Sequence, residues 1–220
     1  DRAEFDMGVV VNYGDNGVSD FDRIVVEVEA IVPDIPSNND GRVLTTRGVL
    51  DHANGNLTTS IDVEIVEPVV TISKATSLSA GDAGDVTTFT VTLAHTGGGV
   101  STGPAYDIRV TDALPTYFAI INGTVTSSVG VVGVVGNATG ETTLQLDIAT
   151  FDYTAGPIVL TYDVALKTTV GYEFPSVNNT AHLVYDTATV GPNGRVFNAN
   201  STASIDIFSV PTNAIAITAT

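Results

Sequence analysis

The 220-residue chain is 43% hydrophobic and only 15% charged, enough apolar material for a packed core and too much for a disordered chain. Its charge is lopsided, with 25 Asp and Glu against 8 Lys and Arg for a net −17, so it lacks the basic footprint that nucleic acid or an anionic bilayer requires. There is no cysteine, hence no disulfide framework or thiolate site; no signal peptide opens at residue 1, and no apolar run approaches the ~20 residues of a membrane-spanning helix.

Val and Thr dominate, and 21 Gly and 9 Pro punctuate the chain, the composition of strands and turns. No stretch has the three-to-four-residue apolar spacing of a helix. From the N-terminus, Phe5-Asp6-Met7, Ile24-Val25-Val26 and Ser60-Ile61-Asp62-Val63 each find a later counterpart. These are Leu146-Asp147-Ile148, Ile158-Val159-Leu160 and Ser204-Ile205-Asp206-Ile207, in the same order. Pro68 recurs as Pro211, and Val70-Thr71-Ile72-Ser73 as Ile215-Ala216-Ile217-Thr218. The expectation is a tandem array. Residues 1–67 are the C-terminal half of a β-sandwich repeat, 68–210 a complete repeat, and 211–220 the first strand of the next repeat or a donated strand.

The joint at 60–73 has no Gly/Ser spacer, and Pro68 restricts the backbone, so the array should bend little. Within the complete repeat, strands are expected near 69–75, 86–95, 105–112, 118–128, 142–148, 157–166, 180–186 and 196–208. Phe89, Val91 and Leu93 share one face and threonines the other; Leu144, Leu146 and Ile148 alternate likewise, as do Ile158, Leu160, Tyr162 and Val164. Seven to nine such strands make an all-β fold of tandem immunoglobulin-like sandwiches. The Gly-rich stretch 130–140 reads as a hairpin tip, apolar enough to touch a neighbouring subunit.

Three segments together carry a family likeness: Val70-Thr71-Ile72-Ser73-Lys74, then Asp85 to Thr92, then Ile108-Arg109-Val110-Thr111-Asp112-Ala113-Leu114-Pro115. This resembles the conserved-repeat family of bacterial and archaeal surface proteins, the "domain of unknown function eleven" type. Repeats of that family open with an I-x-K strand and carry a V-x-D-x-L-P motif. The resemblance covers the complete repeat best; His95 departs from it, standing where the family usually has Asn. It implies a cell-surface or extracellular protein, an adhesin, surface-layer component or fibre, with no shared enzymatic activity.

The chemistry-bearing residues fit that picture. His52, His95 and His182 lie too far apart for a zinc site or a triad and read as surface or turn residues. Asp107, Asp147, Asp163 and Asp206 alternate with apolar neighbours and should point outward. Asp82 and Asp85 in one turn, with Glu64 and Glu67 near the joint, are the candidates for calcium, although no calcium-loop motif accompanies them. Lys74 shares a face with Val70 and Ile72 and so points inward, where it needs a partner. A salt bridge is one outcome; an amide to an Asn side chain, assisted by a nearby carboxylic acid, is the other, with Asn198 or Asn200 as acceptor. Sequons stand at Asn56, Asn122, Asn137, Asn178 and Asn200. No other cofactor and no catalytic residue is expected. The leading reading is a structural repeat module of an extracellular filament or layer whose partners are copies of itself or neighbouring repeats. An adhesin module for glycan or host protein ranks second, since aromatics are only 7% and Trp is absent. An accessory domain of a secreted enzyme ranks third.

Overall fold

The computed structural model describes residues 3–10, 25–33, 35–96, 102–130, 142–167, 176–188 and 194–208, and the backbone of 132–135. The chain divides into two compact units, Asp1–Val32 and Pro33–Thr220. In the first, residues 3–10 and 25–32 form no strand, unlike their matched segments at 146–148 and 158–160. Val9, Val10, Val25, Val26, Val28 and Ile31 are exposed, so among the described residues no opposing sheet rewards an extended pairing there.

The second unit is all β among its described residues. It opens with a hairpin of β1 (Val43–His52) and β2 (Gly55–Glu64), antiparallel over their whole length and closed at Gly55, whose φ of 132° suits glycine. A sandwich follows, built from β3 (Val70–Thr76), β4 (Ala80–Gly81), β5 (Val86–His95), β6 (Ala105–Leu114), β7 (Phe118–Ile120), β8 (Thr126–Ser127), β9 (Val132–Val135), β10 (Thr142–Phe151), β11 (Ile158–Leu166), β12 (Ser176–Asp186) and β13 (Val196–Ile207). One sheet runs β4-β13-β12-β6-β10-β9 and the other β3-β5-β11-β7, with β8 also on β11. Every pairing is antiparallel except β4 with β13. Along these strands the chain passes from one sheet to the other after β3, β4, β5, β6, β8, β10 and β11. The β3-β5-β11 part of one sheet faces the β13-β12-β6 part of the other, the immunoglobulin-type arrangement.

Alternation places the core as expected. Phe89, Val91 and Leu93 on β5 and Ile158, Leu160, Tyr162 and Val164 on β11 are buried, facing Ile108 and Val110 on β6, Leu144 and Leu146 on β10, and Leu183 and Ile205 on β12 and β13. β6 departs from strict alternation: Ala105 is buried, and the buried series then resumes at Ile108. Asp107 absorbs the extra residue at φ 47°, and the β12–β6 register shifts opposite it, between Val184 and Asp186. Further boundaries differ from the sequence expectation: β4 falls between the first two expected strands, β9 occupies part of the expected hairpin tip at 130–140 and pairs with β10, and β10 runs on to Phe151. The strand expected at 118–128 is β7 and β8 separated by a turn, where Thr124 Oγ1 donates to the Ile121 carbonyl and Gly123 adopts φ 81°. β12 starts at Ser176 rather than 180, because Val177, Asn179 and Ala181 extend its buried face into the expected turn. The strand expected at 211–220 and the tip residues 136–140 lie outside the described residues.

Candidate functional site

Two built features stand out: a polar cluster inside the sandwich and a gripped joint at its entrance. β3 pairs with β5 so that Lys74 lies opposite Val91, and the same alternation that buries Val70 sends the lysine inward. The Lys74 side chain is wholly buried, as is that of Asp112. Lys74 Nζ donates to Asp112 Oδ2, and Tyr162 Oη donates to the same oxygen. Asn179 Nδ2 in turn donates to Tyr162 Oη at 3.0 Å. The amine also lies 5.0 Å from the Phe89 ring centroid and 5.7 Å from that of Tyr162. Each group comes from a different strand: β3, β6, β11 and β12.

The electrostatics follow from that geometry. Burial pushes the Lys74 amine down to about 8, with the neighbouring Asp112 charge opposing the fall. Burial, and then the Asp112 charge, hold the Tyr162 hydroxyl far above the ordinary phenol range, so it keeps its proton. Two oxygens of the cluster, Asp112 Oδ1 and Asn179 Oδ1, are buried without a hydrogen-bond partner. An unpaired buried acceptor costs about 1–3 kcal/mol.

The joint spans 65–69. Gly41 N and Arg42 O bond to Ile65, prolonging the hairpin, and Glu67 N donates to Asp40 Oδ1 at 2.9 Å. Arg195 Nη1 meets Glu67 Oε1 at 2.9 Å, while its Nη2 donates to the Ile35 and Asn38 carbonyls, 3.2 Å each. Pro68 is buried; Val70 N donates to the Tyr185 hydroxyl, which lies 3.5 Å from the Pro68 carbonyl. A Cβ on Gly103 would meet the Val66 carbonyl oxygen at 3.0 Å, so glycine lets the joint lie against the sandwich.

Most residues singled out in the sequence stand on the surface. Asn198 and Asn200 are exposed on β13, opposite Val184 and His182, so neither is a partner for Lys74; the alternation that buries Ala203 and Ile205 turns them to solvent. Asp112, Tyr162 and Asn179 take that place. Asp82 and Asp85 share a turn, where the Asp82 amide donates to Asp85 Oδ2 at 2.8 Å, while Glu67 is engaged with Arg195 and Glu64 is exposed at the end of β2. The four do not form one cage, and no group of three metal-ligating side chains gathers among the described residues. Asn56, Asn122, Asn178 and Asn200 are all exposed, as glycan acceptors must be, and Asn137 lies outside the described residues. Asp107, Asp147 and Asp206 are exposed and Asp163 half-buried. His52 and His182 are exposed, but His95 packs edge-on against Phe151 and Tyr153, with Nε2 2.9 Å from the Gly103 carbonyl. It holds the far wall of the joint.

No family model matches this chain, and no curated protein matches its sequence. Among solved structures it is similar to BcpA, the major pilin subunit of Bacillus cereus, at 15% identity and a TM-score of 0.44, over 74% of this chain and 48% of that one. It is also similar to the full-length major pilin SpaD of Corynebacterium diphtheriae, at 16% identity and a TM-score of 0.42, over 64% of this chain and 34% of the pilin. The N-terminal domain of the Streptococcus gordonii adhesin Sgo0707 matches at 16% identity and a TM-score of 0.40, over 65% and 33% of the two chains. The chain thus spans less than half the length of each. The sandwich assignment rests on the chain's own sheet order.

Proposed function

We propose that this chain is a structural module of an extracellular surface protein or filament, a spacer that holds its neighbours apart and carries tension between them. The observation behind this reading is the joint. A tether meant to flex is rich in Gly and Ser and leaves its backbone in water. Residues 65–69 are instead clasped by Arg195, Tyr185, Asp40 and the bare face of Gly103.

The ends of the sandwich suit the same role. Near its start and finish the chain runs side by side and parallel, with Asp206 N donating to the Ser79 carbonyl and Phe208 N to the Gly81 carbonyl, 3.0 Å each. A pull on the two ends loads those bonds together in shear. The net charge of −17 discourages lateral collapse of neighbouring modules. The partners are further copies or neighbouring repeats.

Two measurements test this. Antibody against the chain should label intact source cells without permeabilisation; labelling only after permeabilisation defeats the surface reading. Held between handles at its ends and stretched in a force spectrometer, the sandwich should open in one cooperative step at high force. Stepwise peeling at low force would leave no basis for a load-bearing spacer.

A further inference from the structure

We propose that the buried cluster is a site of covalent self-modification, in which Lys74 Nζ condenses with the carboxamide of Asn179, Asp112 carries the protons, and one ammonia is released. Four polar side chains from four strands are brought to one place among buried apolar side chains, an arrangement that is costly for a mere ion pair. A buried pair is often no more stabilising than apolar residues of the same size.

As a reaction centre the same groups all have work. Lys74 supplies the nucleophile, and its burial favours the neutral amine the step requires. Asp112 touches that amine directly. Asn179 supplies the acyl group, its amide nitrogen held by the Tyr162 hydroxyl and its carbonyl oxygen open. Only two oxygens, Asp112 Oδ2 and Tyr162 Oη, stand between Nζ and Nδ2 in a continuous hydrogen-bonded chain.

The step balances without an outside reagent. Lys74 hands one proton to Asp112, leaving a neutral amine beside a neutral acid. Nζ swings from Oδ2 onto Cγ of Asn179, and the Nζ–Cγ bond forms while the acid supports the carbonyl oxygen. A second proton passes from Nζ to Nδ2 through the carboxyl group, the Cγ–Nδ2 bond breaks, and ammonia leaves with Asp112 still protonated. Asp112 itself is the poorer acceptor. Were its carboxyl consumed, the remaining acid would be Tyr162, whose proton is held fast, and the burial of Asn179 would serve no purpose. The product ties β3, the strand that takes load from the joint, to β12 in the opposite sheet.

The intact mass of the purified 220-residue chain should fall short of the sequence mass by one ammonia. A digest should contain the Lys74 peptide joined to the Asn179 peptide, with no tryptic cleavage at Lys74. Full mass overturns the proposal. So does a one-water deficit with Lys74 joined to Asp112, or an ammonia deficit without a joined peptide, which would be a succinimide. Asn179→Asp should convert the deficit to one water, and Asp112→Asn should restore full mass; persistence of the cross-link in D112N overturns the role of Asp112. The wild-type measurement does not depend on either variant folding, nor on where the protein resides.

Discussion

The hairpin β1–β2 and the hairpin β12–β13 are built alike and end up in opposite circumstances. Ser60-Ile61-Asp62-Val63 in one matches Ser204-Ile205-Asp206-Ile207 in the other, and the registers correspond: Ile61 faces Thr46 as Ile205 faces Val177. In β1–β2, Leu44, Leu50, Leu57, Ile61 and Val63 share one face, and Arg47, Asp51, Asp62 and Glu64 share the other with Val43 and Val49. Yet Ile61 is 66% exposed and Ile205 fully buried. Local pattern is enough to fold a ribbon and set its register; burial belongs to whatever sheet lies across from it. β12–β13 has β3, β5 and β11 opposite. Among the described residues, β1–β2 has no such cover.

The comparison can be broken at its strongest point first. In an Asn179→Ala background, where Lys74 keeps a free amine, Asp112→Ala leaves that buried amine without its ion-pair partner and should cost about 3–5 kcal/mol in denaturant unfolding, whereas Asp62→Ala, which loses an exposed bond from Thr45, should cost less than ~1 kcal/mol. Next come the paired isoleucines. Ile205→Ala should destabilise by about 2–5 kcal/mol through cavity formation, and Ile61→Ala should stay within about 0.5 kcal/mol. Equal losses at the two positions would mean that the hairpin face is covered in solution.

A smaller effect sharpens the boundary between the two regions. Arg195→Ala removes an ion pair and two carbonyl contacts and should cost about 1–3 kcal/mol. Amide exchange should quicken at Glu67 and Val70 while the β5–β11 ladder stays protected. Uniform acceleration would show that the joint is no separate clasp.

The smallest expected effect is a pH slope. With a free amine at Lys74, as in Asn179→Ala, the folded pKa of about 8 lies below the ordinary 10.5. The unfolded chain then binds more protons between those values, so stability should rise with pH across that window and show no contribution from this group below it. Lys74→Met should lack the slope when the two chains are compared by thermal unfolding. The groups facing the amine are Asp112 and the rings of Phe89 and Tyr162, and Tyr162 keeps its proton throughout the window.

Much of this was legible in the chain. The inward series on β5 and β11 are the ones alternation indicates, and the outward Asp107, Asp147 and Asp206 fall on the expected faces. The inward turn of Lys74 was legible for the same reason. Its partner was not, although signals existed: Ile108, Val110, Asp112 and Leu114 share a period-two face, as do Val177, Asn179, Ala181 and Leu183. Asp112 read as part of a surface-protein motif, and Asn179 sat inside an expected turn.

From the sequence alone came the all-β class, the strand periods, the acidic composition and the joint without a Gly/Ser spacer, because these depend on side-chain order along a few residues. The meeting of Lys74, Asp112, Tyr162 and Asn179 depends on which strands lie opposite across the sandwich. So does the fate of Ile61 against Ile205. Strand-to-strand placement is set by packing between sheets, and residues tens of positions apart carry no local mark of the neighbour they will meet.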